Sequence, residues 1–385
     1  MNAFNLVATV TAHSNSDLRP LPCILMRGGT SRGPFFLATD LPSDPASRDA
    51  VLLAVMGSPD RRQIDGLGGA HPLTSKVGIV SRSSTAGVDL DFLFGQLQPD
   101  SDQVDMTPNC GNMLAAVLPF ALERGLLSTA DGVTSARILT LNTGMQCDVT
   151  VQTPHGRPQY GGEARIDGVP GSAAPVKINF LDTAGSVCNG LLPSGNVIDE
   201  IRFASADGGV DQVAATLIDN GMPMVLIRAT DFGISGYESV AELNGNASLR
   251  ARLELLRLAA GVVMGLGDVG AKNYPKMCLL AAPRNGGSLS TRCFIPHVCH
   301  EAIGVLAAVT VATACVLPGA ITQTLVEVGA ALQQTISVEH PSGEFSVELE
   351  RDPLDPSSIR RAALLRTARP IMRGEVLIPA QVWLG

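Results

Sequence analysis

The segment Ala302–Leu317 is almost entirely apolar, interrupted only by Thr310 and Thr313 and closed by Pro318-Gly319. It is shorter than the roughly 20 residues a membrane-crossing helix needs. A helix with no polar face must be covered on all sides by other parts of the chain. A second run of the same kind, Met113–Glu123, follows Pro108-Asn109-Cys110-Gly111-Asn112 and carries Pro119, where a bend is expected. Strands curled around each helix would bury it on every side. The chain therefore reads as α+β, with two similar domains, each a curved antiparallel β-barrel around a central buried α-helix.

The order of the remaining elements supports a duplication. In the first half, strands are expected at Cys23–Arg27 and Gly33–Ala38 around Gly28-Gly29. A helix at Ser47–Met56 capped by Ser47 follows, then strands at Lys76–Arg82 and Val88–Leu97. After the first apolar helix comes a hairpin, Ile138–Asn142 and Met145–Gln152, turning at Thr143-Gly144. The second half repeats the order: a strand at Ile218–Arg228, a helix at Ala247–Met264, and strands at Met277–Ala282 and Ser290–Ile295. The apolar helix Glu301–Cys315 and a hairpin at Ile336–Glu339 and Glu344–Glu350 complete it. The expected limits are 1–190 and 191–370, with a strand over about 371–385 returning to the first domain and residues 1–19 a loose extension.

Composition fits a tightly packed, strand-rich chain. Of 385 residues, 45% are hydrophobic but only 4% aromatic, so the core is built from small and branched side chains. The 40 glycines and 25 prolines supply the turns that many short strands require. The net charge of −8, with no block of Lys or Arg, argues against nucleic acid as a partner. No membrane partner is expected either. Cys23, Cys110, Cys147, Cys188, Cys278, Cys293, Cys299 and Cys315 form no CxxC pair and no zinc-ligand spacing. With no positive, then apolar, leader at the start, a cytoplasmic protein with reduced thiols is expected.

Cys110 is the sharpest candidate for chemistry. Asn109 reads as the N-cap, with Gly111 and Asn112 in the first turn. Free N–H groups and the helix dipole there favour a thiolate. The competing reading is a buried structural thiol. Lys76, in Leu73-Thr74-Ser75-Lys76-Val77, opens an apolar strand, where desolvation turns an amine into a usable base. On the residues alone, a strand-end lysine reaching solvent is the simpler reading. Lys276 has a comparable setting in Pro275-Lys276-Met277.

The run Arg27-Gly28-Gly29-Thr30-Ser31-Arg32 offers close backbone approach, hydroxyl donors and a guanidinium, a possible carboxylate cradle or simply a hairpin turn. It lacks phosphate-loop spacing, and Asp65-Gly66-Leu67-Gly68-Gly69 lacks the third glycine of a dinucleotide fingerprint. His297 and His300 flank Cys299 at the expected start of the second helix, placed to polarise a carboxylate or to cap. Two histidines three apart, without nearby carboxylates, make a weak metal site. His71, His155 and His340 lie at turns and read as structural or solvated.

Taken together, Met26–Gly33, Asp65–Lys76, Pro108–Met113, Asp167–Gly171 and Val338–Phe345 resemble the 2-methylaconitate isomerase and 4-oxalomesaconate tautomerase family. The resemblance runs from about residue 20 onward. It implies the diaminopimelate-epimerase-like fold, no metal or cofactor, a homodimer, and Cys110 with Lys76 as the acid–base pair. It also implies a small polycarboxylate substrate, bound by Arg27, Gly28, Gly29, Thr30, Ser31, Ser75, Asn109, Gly111, Asn112, Arg292, His297 and His300. Thr107–Met113, Leu73–Val77 and Pro283–Gly287 look most like the 4-oxalomesaconate branch, which serves degradation of gallate, protocatechuate and related lignin-derived aromatics. Racemases of this fold carry a second cysteine in a Cys-Gly-Thr run. Here Cys299 is followed by His300 and Glu301, which disfavours a racemase and leaves Lys76 as the partner of Cys110. The remaining alternatives are 2-methylaconitate cis–trans isomerisation and a carboxylate-binding protein with a relic site.

Overall fold

A computed structural model describes residues 17–181, 183–205, 208–327, 329, 331–355 and 359–383. The first half contains β1 (Leu18–Gly28), β2 (Ser31–Leu37), α1 (Pro45–Met56), β3 (Lys76–Arg82), β4 (Leu90–Leu97) and β5 (Val104–Asp105). It continues with α2 (Gly111–Leu114), α3 (Val117–Glu123), β6 (Gly132–Thr140), β7 (Met145–Thr153) and β8 (Pro175–Phe180). The second half contains β9 (Asp199–Ala204), β10 (Val210–Asp219), β11 (Pro223–Arg228), α4 (Val240–Gly245), α5 (Ala247–Val263) and β12 (Lys276–Ala281). After it come β13 (Leu289–Phe294), α6 (Val305–Val316), β14 (Gln333–His340), β15 (Gly343–Arg351) and β16 (Ile359–Pro379).

The two halves share one topology. A hairpin, β1–β2 or β10–β11, leads through an outer helix to a parallel neighbour, β3 or β12, which pairs antiparallel with the next strand. The central helix then returns the chain to a second parallel pairing, β4–β6 or β13–β14, followed by antiparallel strands. The sheets are thus antiparallel except where a crossover containing a helix restores the strand direction. Strand β16 serves both halves. Ala363–Thr367 pairs with β8 and Val347–Arg351 of β15 pairs with Ile359–Leu364, while Ala368–Pro379 pairs with β1. That last pairing closes β1-β2-β3-β4-β6-β7-β8-β16 into a barrel.

The central helices lie inside. Val117, Leu118 and Phe120 of α3 and Val309, Val311 and Cys315 of α6 belong to one continuous core. Phe120 meets Phe35 with ring centroids 5.6 Å apart. The outer faces are covered too: α1 packs over Phe36, Val77 and Ile79, and α5 over Val213, Leu217, Val225 and Met277. Strands covered on both faces read as unbroken apolar runs, as Met277–Ala281 of β12 does. Fully burying one such Val or Leu contributes roughly 1.5–3 kcal/mol.

Several expected boundaries differ. Helix α1 is capped by Asp44, whose carboxylate accepts the Ser47 N–H at 2.9 Å, because Pro45 takes the first helical position. The strand expected across Ile218–Arg228 is two strands, since Gly221 adopts φ +90° in the turn between them. The first central helix breaks at Ala115-Ala116 and carries Pro119 within α3. The second begins at Val305, behind Gly304, rather than at Glu301. Strand β1 starts at Leu18, inside the stretch expected to be loose; residues 1–16 of that stretch lie outside the described residues.

Candidate active site

The N-termini of the two central helices face each other. Cys110 is the N-cap of α2, with extended backbone (φ −134°, ψ 99°), and Gly304 is the N-cap of α6. Neither cap has a side-chain hydrogen bond, so first-turn N–H groups of both helices are left for another partner. The helices approach closely: a Cβ added to Gly111 would come within 2.8 Å of Val305 Cγ2. The partly exposed Cys110 stands between two cavities. One, of about 720 Å³, is a cleft lined by Thr30, Asn112 and Asp167 from the first half and His300, His340 and Arg366 from the second and β16. The other, of about 390 Å³, is mostly apolar. It shares Asn109, Cys110, Gly111, Gly304 and Val305 with the cleft and holds Lys276.

Lys76 opens β3 and is 7% exposed, so the solvent-reaching reading of this residue does not hold. Its amine hydrogen-bonds to Gln96 Oε1 and lies 5.1 Å from the centroid of the Phe94 ring. Burial holds its pKa below the ordinary lysine range, and the nearby Cys110 opposes that shift in part. Glycines make the approach possible: a Cβ at Gly33 would lie 1.8 Å from the Lys76 carbonyl oxygen, and one at Gly28 would lie 2.3 Å from the Asn112 carbonyl oxygen. The glycines expected to make room for a ligand instead let the β1–β2 turn press against α2 and β3.

Arg366 is the buried cation of the cleft. Its Nε donates to Asn112 Oδ1 at 3.2 Å, one Nη donates to the Leu365 carbonyl at 2.8 Å, and the guanidinium stacks on Phe345 at 3.9 Å. Its other Nη has no partner among the described residues. Burial pulls its pKa down to about 9, against the pull of Glu344 and Cys110, so it remains charged at neutral pH. Burial also pushes His340 down to about 4, which keeps it neutral there. Thr30 accepts a hydrogen bond from Asn112 Nδ2 at 2.9 Å, and His300 Nδ1 accepts the Ala302 N–H.

Of the expected binding residues, Thr30, Asn109, Gly111, Asn112 and His300 line the cleft. The others are used elsewhere. Arg27 braces the turn, donating to the Gly29 and Thr367 carbonyls and the Thr367 hydroxyl. Gly28 and Gly29 pack on Asn112. Ser31 is buried, and its hydroxyl has no partner among the described residues. Ser75 is buried and donates to Gln63 and the His71 carbonyl. Arg292 directs its guanidinium to the Glu238 and Thr291 carbonyls and the Ser290 hydroxyl, fastening β13 to the loop before α4. His297 lies outside the cleft lining, its Nδ1 3.2 Å from the Glu254 carboxylate on α5. Asn109 does not cap α2; its amide donates to Thr140 and Thr143.

Cys299 lies before the helix, not at its start. It is 2% exposed, bridged to Phe294, and burial pushes its thiol up to about 12. The position that answers to Cys110 in the second half is Gly304. Sequence reasoning passed over Arg366 and His340. The Val338–Phe345 motif marks the strand turn that carries His340, but Arg366 lies in no motif. Among the described residues no group of three or more His, Cys, Asp or Glu is placed to hold a metal, and no helix is long and apolar enough to cross a membrane. A larger hollow outside β6–β8, of about 860 Å³, is lined by Arg137, Asp148 and Lys177, which form ion pairs, and holds no thiol.

Comparison with known proteins agrees with this arrangement. Residues 19–379 match the family described as PrpF protein. The chain is 52% identical to a (4E)-oxalomesaconate Delta-isomerase of Novosphingobium sp. (strain KA1), over 93% of this chain and 97% of the relative. It is 50% identical to a 4-oxalomesaconate tautomerase of Pseudomonas putida, over 95% and 98%. A crystal structure of methylitaconate-delta-isomerase superposes with a TM-score of 0.84 at 32% identity, covering 96% of this chain and 98% of that one. Two similar halves, paired helix N-termini and this degree of identity lead to one conclusion: the chain belongs to the PrpF family and is an isomerase.

Proposed function

We propose that the protein catalyses a cofactor-independent 1,3-proton shift in 4-oxalomesaconate, with Cys110 and Lys76 as the acid–base pair. The observation that carries the reading is the place of Cys110 at the N-cap of α2, facing the N-terminus of α6 across the cleft, with the Lys76 amine held in a buried, desolvated setting. The relatives of 52% and 50% identity, whose names specify this substrate, support it. One of the pair removes a proton from a carbon next to the conjugated carbonyl system. The C–H electron pair moves into that system as an enolate, and the other group delivers a proton at the far carbon, so the double bond migrates. Helix N–H groups and the Arg366 guanidinium stabilise the developing negative charge. Thr30, Asn112 and Arg366 hold a carboxylate in the cleft.

The reading extends to context. Eight free cysteines, most of them buried, fit a reducing cytoplasm. A role in degrading lignin-derived aromatics such as gallate and protocatechuate, and a homodimeric state, rest on the family resemblance.

The test is proton NMR of the purified protein with 4-oxalomesaconate in D₂O, beside Cys110→Ser and Lys76→Met. Wild type is expected to form product with deuterium at one carbon. Each variant is expected to lose about 10²–10⁴-fold in turnover, as removal of a positioned acid or base does, with exchange lost at different carbons. No exchange with wild type would overturn the substrate. A 34%-identical relative from Shewanella oneidensis is named for 2-methyl-aconitate, which would be assayed next.

A further inference from the structure

Lys276 stands in the second half where Lys76 stands in the first. Each is the first residue of a strand with a parallel neighbour on one side, β2–β3 or β11–β12, and an antiparallel one on the other. Each precedes a central helix whose N-terminus enters the site. The halves differ in what meets the amine. Lys76 has Gln96, Phe94 and Cys110. Lys276 has no hydrogen bond or ion pair among the described residues, and the helix cap beside it is Gly304, where an added Cβ would lie 3.7 Å from its Nζ. No thiol occupies that place to trade protons with the amine.

The surroundings of Lys276 are a cavity of about 390 Å³ that also contains Cys110. Its walls include Leu114, Met145, Phe180, Met222 and Leu306, so Lys276 is its one charged lining residue among those described. An ammonium half-buried among apolar walls, with no partner among the described residues, is costly unless something anionic joins it. Burial lowers the pKa of Lys276, and the group opposing that is the Cys293 thiol, itself sealed in the core. The N–H groups of the first turn of α6, uncapped by any side chain, add a second source of positive potential at the same wall.

We infer that Lys276 and the first turn of α6 form a second carboxylate subsite, on the far side of Cys110 from Arg366. A polycarboxylate would then straddle the thiol. One carboxylate is held at Arg366 and another at Lys276, so the carbons between them are presented to Cys110. This deepens the reading given above and rests on it for the substrate. Lys276 is a binding group, not a base.

The experiment uses full-length wild type, Lys276→Met and Lys276→Arg. Loss of a charge-assisted contact in a water-poor cavity is expected to raise KM for 4-oxalomesaconate about 10–100-fold in Lys276→Met. The expected kcat is within about threefold of wild type, and Lys276→Arg is expected to recover most of the KM, because uniform binding is what is lost. Thermal unfolding tells whether Lys276→Met is folded. Calorimetric titration with tricarballylate, an unreactive tricarboxylate, is expected to show weakening by a similar factor. Unchanged KM and unchanged tricarballylate binding would overturn the subsite. So would a fall in kcat at constant KM with loss of deuterium exchange at one carbon, which would make Lys276 a base. If wild type fails to turn over 4-oxalomesaconate, the substrate reading falls alone, and tricarballylate binding still decides the role of Lys276.

Discussion

His340 is held neutral by its surroundings, and that has a measurable consequence. Its folded pKa of about 4 lies below the ordinary histidine value of about 6.5, so the unfolded chain takes up a proton that the folded chain refuses. Stability contributed by the neutral ring is therefore present above about pH 6.5 and lost as pH falls toward 4, by at most about 3 kcal/mol. Denaturant unfolding across this window is expected to slope more steeply for wild type than for His340→Gln; parallel curves would refute the assignment. Cys110 at a helix start and Lys76 at the start of a buried strand were legible in place because their signals are local: a cysteine between Asn and Gly before an apolar run, and a lysine opening an apolar strand. Arg366 was illegible for the opposite reason. It reaches Asn112 from 254 residues away, through a strand pairing that no local pattern announces. Arg292 and His297 do not line the cleft, because nearness in sequence to Cys299 says nothing of side-chain direction. Arg292 turns to the main-chain carbonyls of Glu238 and Thr291, and His297 toward Glu254 of α5.

At the scale of elements, the site depends on how closely α2 and α6 meet. Gly111 touches Val305 so tightly that any side chain there must displace the valine. Gly111→Ala is expected to lower kcat/KM about tenfold or more, and adding Val305→Ala to restore much of it. The double-mutant cycle then gives a coupling of about 1–2 kcal/mol, whereas additive losses would show that the contact does not set the spacing. Helices with no polar face were legible from apolarity alone, and with them the need for wrapping strands. Their starting points were less so. Glu301–Gly304 lacks the Ser, Thr, Asp or Asn cap that usually marks a helix start, and α6 begins on a glycine instead. The break between α2 and α3 falls at two alanines, excellent helix formers, and only the packing places it there.

On the scale of the whole molecule, the two halves are not independent. Both central helices contribute to one continuous core, and β16 is hydrogen-bonded into both sheets. Thermal unfolding is accordingly expected to be a single transition with matching calorimetric and van 't Hoff enthalpies; two resolved transitions would mean that each half stands alone. The duplication itself was legible as a repeated order of elements, but the sharing of one strand was not, because it depends on where the chain returns. That return bears on how the protein is made. Arg27 of β1 is fastened to Thr367 of β16, 340 residues later. Domains usually take shape one after another as the ribosome releases them, the first ahead of the rest. Here the first barrel has to wait, with β1 paired to β2 on one side only, until β16 has emerged, so the earliest part of the chain is among the last to be completed.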